Sequence, residues 1–175
     1  MGEPSAQDRA ESLLRLFARP VEPGHVRAVA AAAVSEPART LLDHARHMTD
    51  AQERFHGGPV KLRVLGVVAD GPSYAREILL ARPDGRVVQY GIVRIDMAAL
   101  DTATAERIRR ADTPLGRILA DAGMLCAVGD VQLVEFVPGP RLAAHMGPQP
   151  RFGRVADIRV ADVPAVELLE VVVTE

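Results

Sequence analysis

The sequence contains little of what several common functions require. It has no tryptophan, and aromatic residues make up only 3% of its 175 residues, so a platform for stacking nucleic-acid bases is not expected. Cys126 is the only cysteine, which excludes an internal disulfide, and its neighbours Met124 and Leu125 favour a core position over a nucleophilic one. The longest apolar run in the N-terminal third, residues 28–34, is far too short to span a bilayer.

An excess of charge of either sign is also missing. The formal net charge is -2, which argues against a nucleic-acid partner and against an anionic membrane surface. The N-terminus has no basic start followed by an apolar segment, so we expect a cytoplasmic protein. With 48% hydrophobic and 25% charged residues, the composition is that of an ordinary globular chain, and residues 1–175 are predicted to form one domain.

Familiar catalytic and cofactor signatures are absent as well. The chain has no Gly-rich phosphate loop and no Gly-x-Ser-x-Gly elbow. His44 and His47 are three residues apart, but no third metal ligand is obvious near them, and a solvated helix face explains them better. The sequence therefore predicts neither a metal site nor a cofactor.

The pattern of apolar residues divides the chain into a helical N-terminal part and a part rich in hairpins. Helices are predicted at 10–19, where Pro20 ends the pattern, at 26–34, and after the N-cap candidate Ser35, so that residues 1–40 form a helical extension. Further on, the predicted helices are 51–55, 96–110 and 114–123, the predicted strands are 60–68, 74–80, 86–95, 131–137, 154–160 and 166–173, and residues 138–150 are a predicted loop. This order predicts an α+β fold, a single antiparallel sheet flanked by helices.

A few charged residues interrupt the apolar faces of these strands. Arg76 shares a face with Tyr74, Ile78 and Leu80. Two explanations stay open: a structural ion pair or a side chain that reaches water, and a guanidinium that binds a planar anion such as a ligand carboxylate.

Glu170 is the second such residue, because Leu168, Leu169 and Val171 surround it in the last strand. Desolvation there would raise its pKa and suit it to transfer a proton. Alternatively, the residue lies on the face of an edge strand that is open to water, where its carboxylate is simply solvated. Glu135, in a strand of similar character, is the alternative acid.

Four blocks of the sequence together resemble the chorismate pyruvate-lyase (4-hydroxybenzoate synthase) family, in particular its actinobacterial-type branch. They are His-Met-Thr at 47–49, Tyr-Ala-Arg-Glu at 74–77, Thr-Pro-Leu-Gly-Arg-Ile-Leu at 113–119, and Phe-Gly-Arg at 152–154 with Pro-Ala-Val-Glu-Leu-Leu-Glu at 164–170. The resemblance does not cover residues 1–40.

This resemblance implies a chorismate lyase-like fold and a carbon–oxygen lyase that eliminates pyruvate from chorismate, or a close relative, to give 4-hydroxybenzoate in a biosynthetic pathway without a cofactor. It implies that Arg76 binds the ring carboxylate and that Glu170 acts as acid or base. It places Met48, Thr49, Leu115 and Gly116 in contact with the substrate, a small aromatic or cyclohexadienyl carboxylic acid.

Two alternatives to the lyase come from other functional classes. The same fold serves as the effector-binding module of GntR-type transcription regulators, so the chain could be a non-catalytic sensor of small acids. Residues 10–47 show no helix-turn-helix with a basic face, which argues against that alternative. The second is a pathway accessory protein that binds an aromatic product without acting on it. The oligomeric state is not predicted.

Overall fold

The computed structural model describes residues 4–18 and 22–174, in which seven strands form one antiparallel sheet. The strands are β1 (Gly24–Ala28), β2 (Lys61–Asp70), β3 (Ser73–Ala81), β4 (Val87–Asp96), β5 (Cys126–Pro138), β6 (Arg151–Val160) and β7 (Val163–Val172). Their order across the sheet is β1-β5-β6-β7-β4-β3-β2, and every neighbouring pair is antiparallel. The predicted α+β fold with a single antiparallel sheet is therefore confirmed.

Six α-helices lie on the two sides of this sheet. They are α1 (Ala6–Arg15), α2 (Ala38–Leu42), α3 (Met48–His56), α4 (Thr102–Arg110), α5 (Leu115–Asp121) and α6 (Pro140–Met146), with short 3-10 turns at Ala31–Ala33 and Met97–Ala99. Among the residues described, no helix combines the length and the apolar character needed to cross a membrane.

The alternation of β3 divides the core into two faces. Ala75 and Leu79 point to the back face, where α1 and α6 pack against the sheet. Tyr74 points to the front face, where α4 and α5 pack, and α2 and α3 pack farther along the same face near Leu133 and Val172. Arg76 is on the front face, as its position between Tyr74 and Ile78 predicted.

The N-terminal part is less helical than predicted. Residues 26–34, predicted as a helix, begin in strand β1, whose Val26 is paired with Phe136 of β5, and only Ala31–Ala33 makes a helical turn. Pairing with β5 adds ladder hydrogen bonds and buries Val26, and these tertiary interactions outweigh the helix propensity of a short alanine-rich segment.

The first helix begins earlier than predicted. It starts at Ala6 because Ser5 and Asp8 form a capping box, in which each side chain binds the backbone N–H of the other residue. The predicted end of this helix at Arg19 and Pro20 lies outside the described residues.

The segment 138–150, predicted as a loop, contains helix α6. Its prolines predict irregular structure, but Pro140 occupies the first turn of the helix, where its fixed φ and missing N–H cost nothing. Leu142 and Met146 of this helix are buried in the back-face core.

Candidate functional site

A cavity lies between the front face of the sheet and the N-terminal ends of α3 and α5. The volume of this cavity is about 40 Å³. All six residues predicted for the site line this cavity: Met48, Thr49, Arg76, Leu115, Gly116 and Glu170. The sequence blocks thus converge on one place, although they lie on four different elements.

The register of the strands explains how the floor of the cavity is built. Ile78, Gly91, Glu170 and Arg154 stand in one row across β3, β4, β7 and β6. Gly91 is the smallest residue of this row, and a side chain there would be crowded, because a Cβ atom would lie 3.5 Å from Cδ1 of Ile78 and 3.3 Å from a backbone oxygen of β7. This row lies beside the one that contains Arg76.

The guanidinium of Arg76 is buried in this cavity and largely unpaired. The residue is only 1% exposed, and its Nη2 donates one hydrogen bond, of 3.1 Å, to the carbonyl oxygen of Thr113. Its Nε and Nη1 are buried without a hydrogen-bond partner among the described residues, as is the hydroxyl of Tyr74. Burial lowers the pKa of Arg76, while Tyr74 and Asp112 act in the opposite direction. A cation with free donors is therefore held in a confined space.

Two helices cover the cavity and are joined to each other by an ion pair. Arg117 of α5 makes two hydrogen bonds, of 2.6 and 2.7 Å, with the carboxylate of Glu53 in α3. Gly116 allows α5 to approach α3, because a Cβ atom at this position would lie 3.0 Å from Cβ of His47. The Pro-Leu-Gly block is therefore explained by the close packing of α5 on α3.

Glu170 is not the unpaired acid that the sequence suggested. Its Oε2 accepts a 2.8 Å hydrogen bond from Nε of Arg154, which is completely buried. Glu170 is therefore one partner of a buried, hydrogen-bonded ion pair.

Arg154 is the charged residue of the cavity lining that sequence reasoning missed. Besides Glu170, it binds the carbonyl oxygens of His44 at 2.6 Å and Arg46 at 2.8 Å, and a third contact reaches that of Leu42 at 3.5 Å. Arg154 thereby fixes the segment between α2 and α3 to the floor of the cavity. The only signal in the sequence was its place in the Phe-Gly-Arg block, to which no role was assigned.

The other candidate residues lie in different places relative to the cavity. Glu135, the alternative acid, forms an ion pair with Arg27 of β1 and does not line the cavity. His47 lines the cavity, whereas His44 contacts Arg154 beside it. The described residues contain no group of three or more histidine, cysteine or carboxylate side chains that could hold a metal ion.

The position of His44 predicts how stability depends on pH. Burial, together with the charges of Arg154 and Arg46, lowers the pKa of His44 below its usual 6.5. The unfolded chain therefore binds a proton in a range where the folded protein does not, so stability should fall as the pH decreases from about 6.5. His56 contributes in the same direction, because burial and two nearby arginines lower its pKa as well.

Thermal unfolding of His44→Asn between pH 7.5 and 5.5 tests this expectation. Asparagine retains an acceptor for the N–H of Arg46, which donates to Nδ1 of His44 at 3.1 Å. The variant should lose less stability on acidification than the wild type, while His25→Asn, on the exposed surface of β1, should behave like the wild type. Equal acid sensitivity of His44→Asn and wild type would contradict the assignment.

Comparison with known proteins identifies the fold. No family model and no curated protein matches the chain. The structure resembles PhnF from Mycobacterium smegmatis, with a TM-score of 0.55 and 15% identity over 94% of this chain and 93% of that one. It also resembles the effector domain of that protein, with a TM-score of 0.53 and 16% identity over 73% and 88% of the two chains. It resembles a ligand-binding domain of a putative GntR-family regulator from Bordetella bronchiseptica as well, with a TM-score of 0.51 and 14% identity over 66% of this chain and 86% of that one.

These comparisons confirm the predicted fold and correct the predicted family. The fold is that of regulator effector domains, which is related to the chorismate lyase fold. The assignment to the chorismate pyruvate-lyase family is wrong, because the similar structures reported above are PhnF, its effector domain and a ligand-binding domain of a GntR-family regulator. The predictions of an enzyme, of a carbon–oxygen lyase acting on chorismate and of a biosynthetic role are wrong with it.

Proposed function

We propose that this protein is a non-catalytic binding domain for a small carboxylic acid, and that Arg76 binds the carboxylate of the ligand. The observation that carries this proposal is the buried guanidinium of Arg76, in which two nitrogen atoms have no hydrogen-bond partner within the described part of the chain. The likeness to effector and ligand-binding domains supports a sensing role.

Energetics favour a ligand for Arg76 over a purely structural role. Burying an unpaired charge costs several kcal/mol or more, and structural arginines offset this cost with carboxylates and carbonyls. Arg154 shows such compensation, with Glu170 and backbone carbonyls around it. Arg76 has only the carbonyl of Thr113, so its remaining donors are available to an anion.

The remaining predicted residues shape the site around that anion. Met48 and Thr49 of α3 and Leu115 and Gly116 of α5 cover the cavity, and all four line it. Glu170 lies in the row next to Arg76, where it can accept a hydrogen bond from a hydroxyl or amino group of the ligand. The apolar cover suits a small aromatic acid, which would be held by its carboxylate and enclosed by side chains.

Binding measurements with matched acids and amides test the proposal. Benzoate and 4-hydroxybenzoate carry the carboxylate, whereas benzamide and 4-hydroxybenzamide have nearly the same shape without the charge. We expect the acids to raise the melting temperature and to give heat in titration calorimetry, with about 2.7 kcal/mol of stabilisation at a hundredfold excess over Kd.

The amides should bind much more weakly than the acids, because they cannot form a charge-assisted pair with Arg76. Equal binding of acids and amides would show that the guanidinium does not recognise the ligand. No effect of any acid, with inorganic phosphate and acetate included in the series, would contradict the proposed function itself.

A further inference from the structure

Strand β2 forms one edge of the sheet and leaves its outer side uncovered. It is ten residues long, Lys61–Asp70, and among the residues described only β3 pairs with it. The opposite edge strand, β1, has five residues. A long edge strand presents a row of N–H and C=O groups that can pair with another strand.

The side chains of β2 add apolar surface to this open edge. Val67 is 49% exposed and Val68 is 40% exposed, although both lie within a strand. Natural proteins commonly protect such edges with charged residues or proline, and the centre of this strand, from Val64 to Val68, has neither.

A bulge at Leu65 sets which side chains share a face. Val64 is paired with Ile78 and Gly66 with Glu77, so Leu65 has no partner in β3 and the alternation shifts by one residue there. Leu62, Val64, Val67 and Ala69 consequently follow the front face, and Lys61, Arg63, Val68 and Asp70 follow the back face.

We propose that β2 pairs antiparallel with β2 of a second copy of this chain, around a twofold axis between Leu65 and Gly66. In this register Lys61 lies opposite Asp70 of the second copy, and the symmetry repeats the pair at the other end. Val64 lies opposite Val67, and front-face residues meet front-face residues along the whole strand. The two sheets then become one sheet of fourteen strands.

The charges of β2 support pairing with a second copy in particular, because Lys61 and Asp70 lie at opposite ends of the strand and are complementary when two copies pair antiparallel. Paired residues of antiparallel strands must lie on the same face, and a shift by one residue would place front-face residues opposite back-face residues. The bulge at Leu65 makes the proposed register satisfy this condition and also brings opposite charges together at both ends. A pair of ten-residue strands is smaller than a standard interface, so we expect a weak dimer with Kd on the order of micromolar.

Sedimentation velocity of the full chain, from about 1 to 200 μM, tests the pairing; the range brackets the expected Kd. We expect the wild type to shift from monomer towards dimer. Lys61→Asp and Asp70→Lys should each weaken the dimer at least tenfold, because each creates two contacts between like charges. The double variant Lys61→Asp/Asp70→Lys restores opposite charges and should recover the wild-type Kd.

Two valine substitutions distinguish pairing through β2 from nonspecific hydrophobic association. Val68→Lys places a charge on the exposed edge strand and should abolish the dimer. Val163→Lys changes a valine that is 49% exposed, against 40% for Val68, but lies in β7, inside the sheet, and should not abolish it. A monomer at every concentration would overturn the proposal. So would a dimer that survives Val68→Lys, or a double charge variant as weak as the single ones.

Discussion

Replacing Arg76 with methionine should stabilise the free protein and abolish acid binding. Methionine fills a similar volume without a charge, and replacing buried ionic groups with apolar ones has stabilised proteins by about 1–4 kcal/mol. Since Arg76 makes a single hydrogen bond, we expect a gain near the lower end, and for a chain of this length each kcal/mol corresponds to roughly 2–4 °C in Tm. Denaturant unfolding measures the gain, and calorimetry with 4-hydroxybenzoate should show at least about a hundredfold loss of affinity.

The opposite changes in stability and binding are what distinguish a ligand-binding arginine from a structural one. If Arg76 served the fold, Arg76→Met would lower the stability of the free protein, and that result would contradict its proposed role. Arg76→Lys is the matched control: it keeps the charge but loses the planar fork. We expect Arg76→Lys to bind acids weakly, between wild type and Arg76→Met, and to gain no stability.

The sheet could be predicted because its strands carry local signals. The segment around Arg76 alternates between two faces, and the structure places Tyr74 in the front-face core and Leu79 in the back-face core, as that alternation requires. Turn residues at 71–72 and 84–85 mark the hairpins on either side of β3. Local pattern and tertiary structure agree here, so reasoning from the sequence was sufficient.

Strand β1 could not be predicted in the same way. Its five residues have no alternation strong enough to compete with the alanine-rich segment that follows, and the strand exists because β5 is available beside it. Glu135 of β5 illustrates the same dependence, since its partner Arg27 is on β1. An interaction between segments more than 100 residues apart leaves no local signal in the sequence.

The residues that line the cavity could be predicted from the sequence, but the pairing of their charged groups could not. The resemblance blocks converge on one cavity, and Arg76 was recognised because a charge in an apolar row is unusual. Glu170 was recognised for the same reason, but its partner was not, because the pairing with Arg154 depends on the register of β6 with β7. The carbonyls that Arg154 binds lie 108 to 112 residues away in the sequence.

The contrast between the two buried arginines explains why an acid-binding site can coexist with a stable fold. Arg154 is neutralised by Glu170, so the pair contributes no net charge to the cavity, whereas Arg76 forms no ion pair with a carboxylate among the described residues. A ligand with one negative charge would neutralise the guanidinium of Arg76. We therefore expect the cavity to prefer monoanions over neutral molecules and over dianions.

Replacing Arg154 with methionine should destabilise the protein more than any other substitution in the site. The change would leave Glu170 without its partner and remove the donors that the carbonyls of His44 and Arg46 accept. Breaking a buried ion pair from one side typically costs about 3–5 kcal/mol, which corresponds to roughly 6–20 °C in Tm for a chain of this length. Differential scanning calorimetry measures the loss, and Glu170→Gln, which retains an acceptor for Arg154, should lose less.

The surface pair Arg94–Glu167 provides the matched control for this experiment. It also joins neighbouring strands, β4 and β7, but its side chains are 34% and 50% exposed, whereas those of Arg154 and Glu170 are 0% and 12% exposed. We expect Arg94→Met to cost about 0–1 kcal/mol, because water solvates the remaining carboxylate. Adding Glu170→Leu to Arg154→Met should recover only the part of the loss that comes from the unpaired carboxylate, since the carbonyls before α3 stay without a donor. Similar losses for Arg94→Met and Arg154→Met would show that Arg154 does not anchor the floor of the cavity.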